Sequence, residues 1–413
     1  MRRGKLHRSR IISKNRMRIF FSPGIASCLF LASLVYGVKG FALFAREPPR
    51  TLVPDAGTVP RLALSRRELI ASLPAALQTS LLASTAATAA DDIGVPGKLK
   101  PVGYRATTVV VGGETVPVAL WYPLSSDDNS QPAATSDRPY NYRIGIGNLF
   151  KVFLGFELPI PNPEVRSGDA AVRVGGAPQA NCGNGIIFAH GMLGSRFDMA
   201  ELCASLAREG FVVSAADFAE SISASYAPNE STTRGAIIDA ETALLRRDFS
   251  ATSFGIVGHS AGGGSATMTE GPFALGRCAI AGARPYSGGD PLYIVASEGD
   301  GVIPLDRVRT AVPPGAVVAS DPADVRWDRS QRSAALLIEG PVAGAAYAPN
   351  HISFLDEEAN AALVKVLSPL LPLAKLLKLP VLDFDVYVER KDARQTAAAV
   401  RPSIINFFLA QKR

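Results

Sequence analysis

From about residue 102 onward, short apolar runs alternate with segments of helical period. Tyr104–Val111, Gly112-Gly113 and Thr115–Tyr122 read as two strands joined by a two-glycine turn, since glycine supplies the positive φ that tight hairpins need. Gly185–Ala189, Phe211–Ala215, Phe254–Val257, Pro291–Ala296 and Ala335–Ile338 are apolar runs of strand length, the pattern of strands buried on both faces. Between them, Phe197–Glu209 spaces Met199, Leu202 and Leu206 as a helix would and stops at Gly210. Ser231–Arg247 carries Ile237, Ala240, Leu244 and Leu245 on one stripe. Ser125–Asp137 is a polar loop. This alternation predicts the α/β class: a mostly parallel central sheet with helices on both faces, in one domain over residues 91–413. In such sheets ligands bind beyond the carboxyl ends of the strands.

Charge changes the picture at the front of the chain. The whole sequence carries 43 Lys and Arg against 37 Asp and Glu. Residues 1–90 hold 14 of those bases and three of the acids, so the remainder is net negative. The basic excess belongs to an address, and nucleic acid is not an expected partner. Eight Lys and Arg in residues 2–18 precede the uncharged Ile19–Val38, a signal-peptide or signal-anchor pattern ending near residue 40. A second address occupies residues 41–90. Ser65-Arg66-Arg67-Glu68 leads into the uncharged Leu69–Ala90, a twin-arginine signal closed by small residues. Two addresses in series resemble the presequences of complex plastids and imply delivery to the thylakoid lumen. The competing reading is a single signal anchor in the secretory pathway followed by an Ala-rich linker.

Four cysteines occur, and Cys28 belongs to the presequence. Cys182, Cys203 and Cys278 lack metal-ligand spacing, so buried free thiols are expected and no zinc site is implied.

The chemistry concentrates at Gly258-His259-Ser260-Ala261-Gly262, a G-x-S-x-G pattern directly after an apolar strand and before a small-residue helix start at Gly262–Thr269. That setting is what a serine nucleophile on a sharp strand-to-helix turn requires. A serine nucleophile needs a base, and only four histidines exist: His7, His190, His259 and His351. His7 lies in the presequence, and His259 precedes the serine and should point away from it. His190 falls in Ala189-His190-Gly191-Met192, the place of an oxyanion loop, where backbone N–H groups do the binding. His351 remains, in the loop after the last strand. The orienting acid should follow the strand Pro291–Ala296. Asp300, flanked by Gly299 and Gly301, is the first candidate; Glu298 and Asp290 are the others. The oxyanion donors expected are the amides of Met192 and Ala261. No metal or organic cofactor is implied.

At these residues the chain resembles the platelet-activating-factor acetylhydrolase-like lipases of the α/β-hydrolase fold. The resemblance runs through Trp121-Tyr122-Pro123, Phe188-Ala189-His190-Gly191, Glu209–Val213 and Gly258-His259-Ser260 to His351, and includes an apolar insertion at Tyr140–Pro161 before the oxyanion-loop strand. It implies Ser260 as nucleophile, His351 as base, and the Met192 and Ala261 amides as oxyanion donors. The family's better-known members place the acid after the preceding strand. Here that segment, Ala279–Arg284, holds no carboxylate, which moves the expected acid to Asp300. Three functions follow as expectations. The first is a serine carboxylic-ester hydrolase acting on a lipid-like ester, with the apolar Leu149–Pro161 and the leucine-rich Ala361–Leu382 walling the pocket or touching a membrane surface. The second is a chlorophyllase-like pigment esterase, although Ala261 departs from the elbow of plant chlorophyllases. The third is a non-catalytic lipid- or pigment-binding protein that keeps the fold.

Overall fold

The computed structural model describes residues 100–125, 135–136, 140–145, 164–167, 172–180, 182–223, 232–327, 330–342, 344–368 and 392–412. The targeting expectations for residues 1–90, the apolar stretch Leu149–Pro161 and Ala361–Leu382 beyond Ser368 lie outside the described residues.

The chain opens with the hairpin β1 (Val102–Val111) and β2 (Glu114–Pro123). Gly112 and Gly113 take φ of 59° and 86°, and Val111 faces Glu114, so the two-residue turn sets the register of all ten pairs. Short strands follow: β3 (Thr135–Ser136), β4 (Tyr140–Arg143), β5 (Glu164–Ser167) and β6 (Val172–Val174). The α/β alternation then begins with β7 (Asn184–Ala189), α1 (Ala200–Arg208), β8 (Val212–Ala216), α2 (Arg234–Phe249), β9 (Ser253–His259), α3 (Ala261–Met268), β10 (Gly276–Ile280) and β11 (Leu292–Ser297). It ends with α4 (Leu305–Arg309), β12 (Val317–Ala319), β13 (Ser333–Ile338), α5 (Glu357–Leu367) and α6 (Ala393–Gln411).

Eleven strands form one sheet in the order β12-β13-β11-β10-β9-β7-β8-β2-β1-β6-β3, while β4 and β5 pair separately. The run from β8 through β7, β9, β10, β11 and β13 to β12 is parallel; β2 joins β8 antiparallel. Strand alternation sends successive apolar side chains to opposite faces. Ile186, Phe188, Val213 and Ala215 pack with Leu202 of α1 and with Ile404, Phe407 and Phe408 of α6. Ile187, Ala189, Val212 and Ala216 pack with Ile237, Leu244 and Leu245 of α2. Continuous apolar runs are needed because both layers must be fed from the same strands. Cys182, Cys203 and Cys278 are buried and unpaired.

Two helices start later than the apolar period implies. The first begins at Ala200 rather than Phe197, because Ser195 and Asp198 close a turn: the Ser195 N–H and hydroxyl both donate to Asp198 Oδ1 at 3.0 Å. The second begins at Arg234 rather than Ser231, because the Thr233 hydroxyl accepts from the Ala236 N–H and caps the helix there.

Candidate active site

Ser260 sits between the end of β9 and the start of α3, with φ 56° and ψ −117°. A non-glycine residue at such angles is strained and persists only where its surroundings over-determine it. Here they do. A Cβ on Gly258 would lie 2.1 Å from the Gly262 carbonyl oxygen, and one on Gly262 would lie 1.8 Å from that of Ala189. The two glycines of the motif therefore let the turn close against β7. The bend lifts the half-buried Ser260 hydroxyl over the carboxyl edge of the sheet.

Around that hydroxyl the structure brings together three residues chosen from the sequence. Ser260 Oγ lies 2.8 Å from His351 Nε2, and His351 Nδ1 lies 2.8 Å and 3.0 Å from the two oxygens of Asp300. The arrangement assigns the tautomer. Nδ1–H donates to the carboxylate, leaving Nε2 to accept the serine proton. Asp300 Oδ1 also accepts from the Val302 and Ile303 N–H groups at 2.8 Å, so the acid is locked by the loop that follows β11. Both His351 and Asp300 are buried. The other two acids lie elsewhere. Asp290 precedes β11 at the opposite sheet end, where its Oδ2 accepts from Arg277 Nε at 2.9 Å and Tyr286 OH at 3.0 Å. Glu298 is exposed, and its backbone N–H bonds Ile338.

His259 points away from the nucleophile: its Nε2 lies 2.8 Å from the His351 carbonyl oxygen. Burial and the neighbouring His351 push its pKa down to about 3, so the ring is neutral and donates that bond. On the other side, the Asn350 side-chain oxygen accepts from Ser353 N–H and Oγ at 3.0 and 2.8 Å, fixing the turn that bears His351.

The loop after β7 lies against the serine turn; a Cβ on Gly191 would come within 3.1 Å of Ser260 Cβ. Among the described residues, no hydrogen-bond acceptor faces the amide of Met192 or that of Ala261. The loop is held from beneath. His190 Nε2 accepts from the Phe218 N–H at 2.9 Å, so Nδ1 carries the proton and donates to the Gly191 carbonyl. Burial, then the nearby Arg234 charge, lowers the His190 pKa to about 4 and keeps it neutral. Leu193, at φ 58°, donates its N–H to the Glu220 carbonyl at 3.2 Å. Gly194 O accepts from Ile222 N–H and the Ser221 hydroxyl. Below this, burial lifts the Asp198 carboxyl to about 7 despite its bonds from Ser195.

No group of three or more metal-ligating side chains occurs among the described residues. A cavity of about 460 Å³ opens beside the acid, lined by Glu298, Asp300, Pro304, Leu305, Arg309 and Glu339; Ser260 is not among its walls.

Residues 95–237 match the family described as platelet-activating factor acetylhydrolase, isoform II. The matched segment carries the hairpin and the loop after β7 and ends ahead of Ser260, Asp300 and His351. No curated protein sequence matches the chain. Similar solved structures include a ferulic acid esterase from Streptomyces cinnamoneus, at 18% identity over 76% of this chain and 91% of that one, with a TM-score of 0.45. An α/β serine hydrolase without a lid from Xanthomonas campestris is 12% identical over 67% and 98% of the two chains, with a TM-score of 0.33. A putative dienelactone hydrolase from Klebsiella pneumoniae is 13% identical over 67% and 98%, with a TM-score of 0.32. With its parallel sheet, its strand–serine–helix turn and the family match over residues 95–237, the chain has the α/β-hydrolase fold and resembles the platelet-activating factor acetylhydrolases in its first part.

Proposed function

We propose that this protein is a serine-dependent carboxylic-ester hydrolase acting on a lipid-like ester. The observation that carries the reading is the unbroken chain Ser260 Oγ–His351 Nε2, His351 Nδ1–Asp300, built on a strained turn. His351 takes the hydroxyl proton as Ser260 Oγ attacks the ester carbonyl, and Asp300 stabilises the imidazolium that results. The Met192 and Ala261 N–H groups receive the oxyanion, the second at the positive end of α3. His351 returns its proton to the alcohol oxygen as the C–O bond breaks. Water then gives a proton to His351 and attacks the acyl carbon, and Ser260 leaves with that proton, releasing the acid.

The lipid-like substrate is supported by the family description and by the apolar pattern of Leu149–Pro161 and Ala361–Leu382. The proposed setting is the thylakoid lumen, at a membrane surface. Its support is the pattern of residues 1–90; sequencing the native N-terminus tests it, since a start far upstream of Ala90 removes the lumen.

The test of the activity is labelling of the folded protein with a fluorophosphonate, together with turnover of p-nitrophenyl butyrate, a short-acyl phospholipid and a phytyl pigment ester. A Ser260 adduct with faster phospholipid than pigment turnover is expected. Preference for the pigment moves the assignment to a chlorophyllase-like esterase. Absence of a Ser260 adduct turns the protein into a binder.

A further inference from the structure

One guanidinium bonds the loop beside the proposed oxyanion site and also the residues that flank it, and it stands outside the reacting trio. Arg234 is the first residue of α2, 44 positions from His190 in sequence. Its Nη2 donates to the His190 carbonyl at 2.9 Å. Its Nε donates to Glu220 Oε1 at 2.6 Å, and Nη2 pairs with the same oxygen. The guanidinium carbon lies 4.2 Å from the centre of the Phe218 ring, whose backbone N–H bonds His190 Nε2. Nη1 reaches Ser265 Oγ in a longer contact of 3.4 Å, and that hydroxyl donates to the Ala261 carbonyl.

These contacts close a circuit. Glu220, gripped through its carboxylate by Arg234, uses its own backbone carbonyl to hold the N–H of Leu193. Leu193 directly follows Met192 and stands at a positive φ, a conformation that relaxes unless something holds it. Arg234 thus holds the loop upstream of Met192 directly, through the His190 carbonyl, and downstream of it through Glu220. By way of Ser265 it also reaches the first turn of α3, which carries the Ala261 amide.

We infer that Arg234 is a positioning residue that sets the aim of the Met192 amide, with Glu220 as its anchor. The inference rests on the ester-hydrolase reading. Its chemistry is that of a clamp. Arginine presents a planar fork of five donors that engages a carbonyl and a carboxylate together, whereas lysine offers a single point of charge. The Glu220 carboxyl agrees with a tight pair: burial pushes its pKa up, yet the Arg234 charge and hydrogen bond bring it below the usual range. No part of Arg234 needs to touch substrate. Its influence reaches the reacting carbonyl only through the donor geometry, and such donors act more strongly on the transition state than on the ground state.

The experiment compares Arg234→Met, Arg234→Lys and Glu220→Gln with the wild-type protein by three readouts. The first is kcat and KM on p-nitrophenyl butyrate. The second is the affinity of a trifluoromethyl ketone, which forms a tetrahedral oxyanion on the serine. The third is amide hydrogen exchange across residues 190–195. For Arg234→Met the expected result is a kcat loss of about 30- to 100-fold with KM changed less than about threefold, at or below the roughly 10²- to 10³-fold cost of losing one oxyanion donor outright. Ketone affinity should fall in parallel with kcat/KM, and the 190–195 amides should exchange faster. Arg234→Lys should recover part of kcat, and Glu220→Gln should lose less than Arg234→Met. Unchanged exchange at 190–195, or kcat and ketone affinity unchanged while the loop loosens, overturns the inference. If Arg234→Met does not fold, Arg234→Lys and Glu220→Gln decide by the same readouts. Failure of the ester-hydrolase reading looks different: wild-type protein then turns over no ester and gives no Ser260 adduct, and the exchange data alone judge the clamp.

Discussion

A carboxylate flanks strand β11 on either side, and the two sit in opposite surroundings. Asp290, two residues before the strand, faces a buried guanidinium. Arg277 also donates to the Ala266, Thr269 and Gly271 carbonyls at 2.8–2.9 Å and lies between the Phe273 and Tyr286 rings. Every partner there is permanent, and the cation cannot lose its charge. Asp300, three residues after the strand, faces an imidazole that can take and return a proton. On the proposed reading the same residue type serves as a fastener at one end of the sheet and as an orienting group at the other. The partner decides the role: a fixed cation makes a joint, and a titratable one makes a relay position.

The comparison is broken most directly at the proposed active end. Ser260→Ala removes the nucleophile and almost no volume. Ester turnover should fall about 10⁶-fold with the melting temperature held, and removing His351 as well should add little, because such residues act as a unit. Substantial turnover by the Ser260→Ala protein overturns the assignment of that end. Asp300→Asn is next, at about 10⁴-fold in kcat, because an amide in this place favours the wrong imidazole tautomer. KM should hardly move, since the carboxylate faces the histidine and two backbone amides rather than the substrate. A kcat loss under about tenfold would mean that Asp300 is as static as Asp290.

A third carboxylate sharpens the contrast because it has neither kind of partner. Glu241 of α2 is fully buried against β8, where its carboxyl faces Ser214 and the Ala216 backbone rather than any cation among the described residues. Burial lifts its pKa to about 8. The unfolded carboxyl titrates near 4.5. The folded form therefore keeps a proton that the unfolded chain releases, and the resulting stability is fully present below about pH 4.5 and is lost as pH rises toward 8. The slope across that window is about 1.4 kcal/mol per pH unit for one proton. Glu241→Gln should remove most of that slope, measured by urea unfolding at pH 5 and pH 8. An unchanged slope would mean that Glu241 finds a partner in solution.

How far all this was legible follows from which interactions are local. The apolar runs read as strands because each must feed two core layers, and nothing distant is needed to see that. Helix starts shifted by three residues where a cap or turn decided them, as at Thr233 and at Ser195 with Asp198. Ser260 was legible from a strand, two glycines and a helix start lying side by side. His351 was legible by counting, since the chain has so few histidines. Asp300 showed through the glycines beside it. Arg234 and Glu220 left no trace. Their contacts join residues 14 to 44 positions apart, and they mix a carboxylate, a hydroxyl, a ring and a backbone carbonyl with no shared spacing. The link from His259 to the His351 carbonyl was equally silent. A side chain that grips backbone writes no pairing pattern into sequence.

The smallest effect is expected at the fastening end. Asp290→Asn keeps an oxygen for Tyr286 and Arg277 but removes the charge that balances the guanidinium. Arg277 is almost wholly buried, while Asp290 keeps some contact with water. An isolated buried charge is costly, and breaking a buried pair typically removes 3–5 kcal/mol. Here solvent reaches one partner, three carbonyls still hold the guanidinium, and the amide replaces part of the lost bond. A loss of about 1–2 kcal/mol in unfolding free energy follows, read by urea denaturation. Turnover should stay within about tenfold of wild type, because a strand of ~6 residues separates this carboxylate from His351 by roughly 20 Å. Asp290→Leu should lose more stability than Asp290→Asn, since it leaves the cation with neither charge nor acceptor on that side. If instead kcat falls more for Asp290→Asn than for Asp300→Asn, the two ends of β11 have exchanged the roles assigned to them, and the relay runs through the wrong acid.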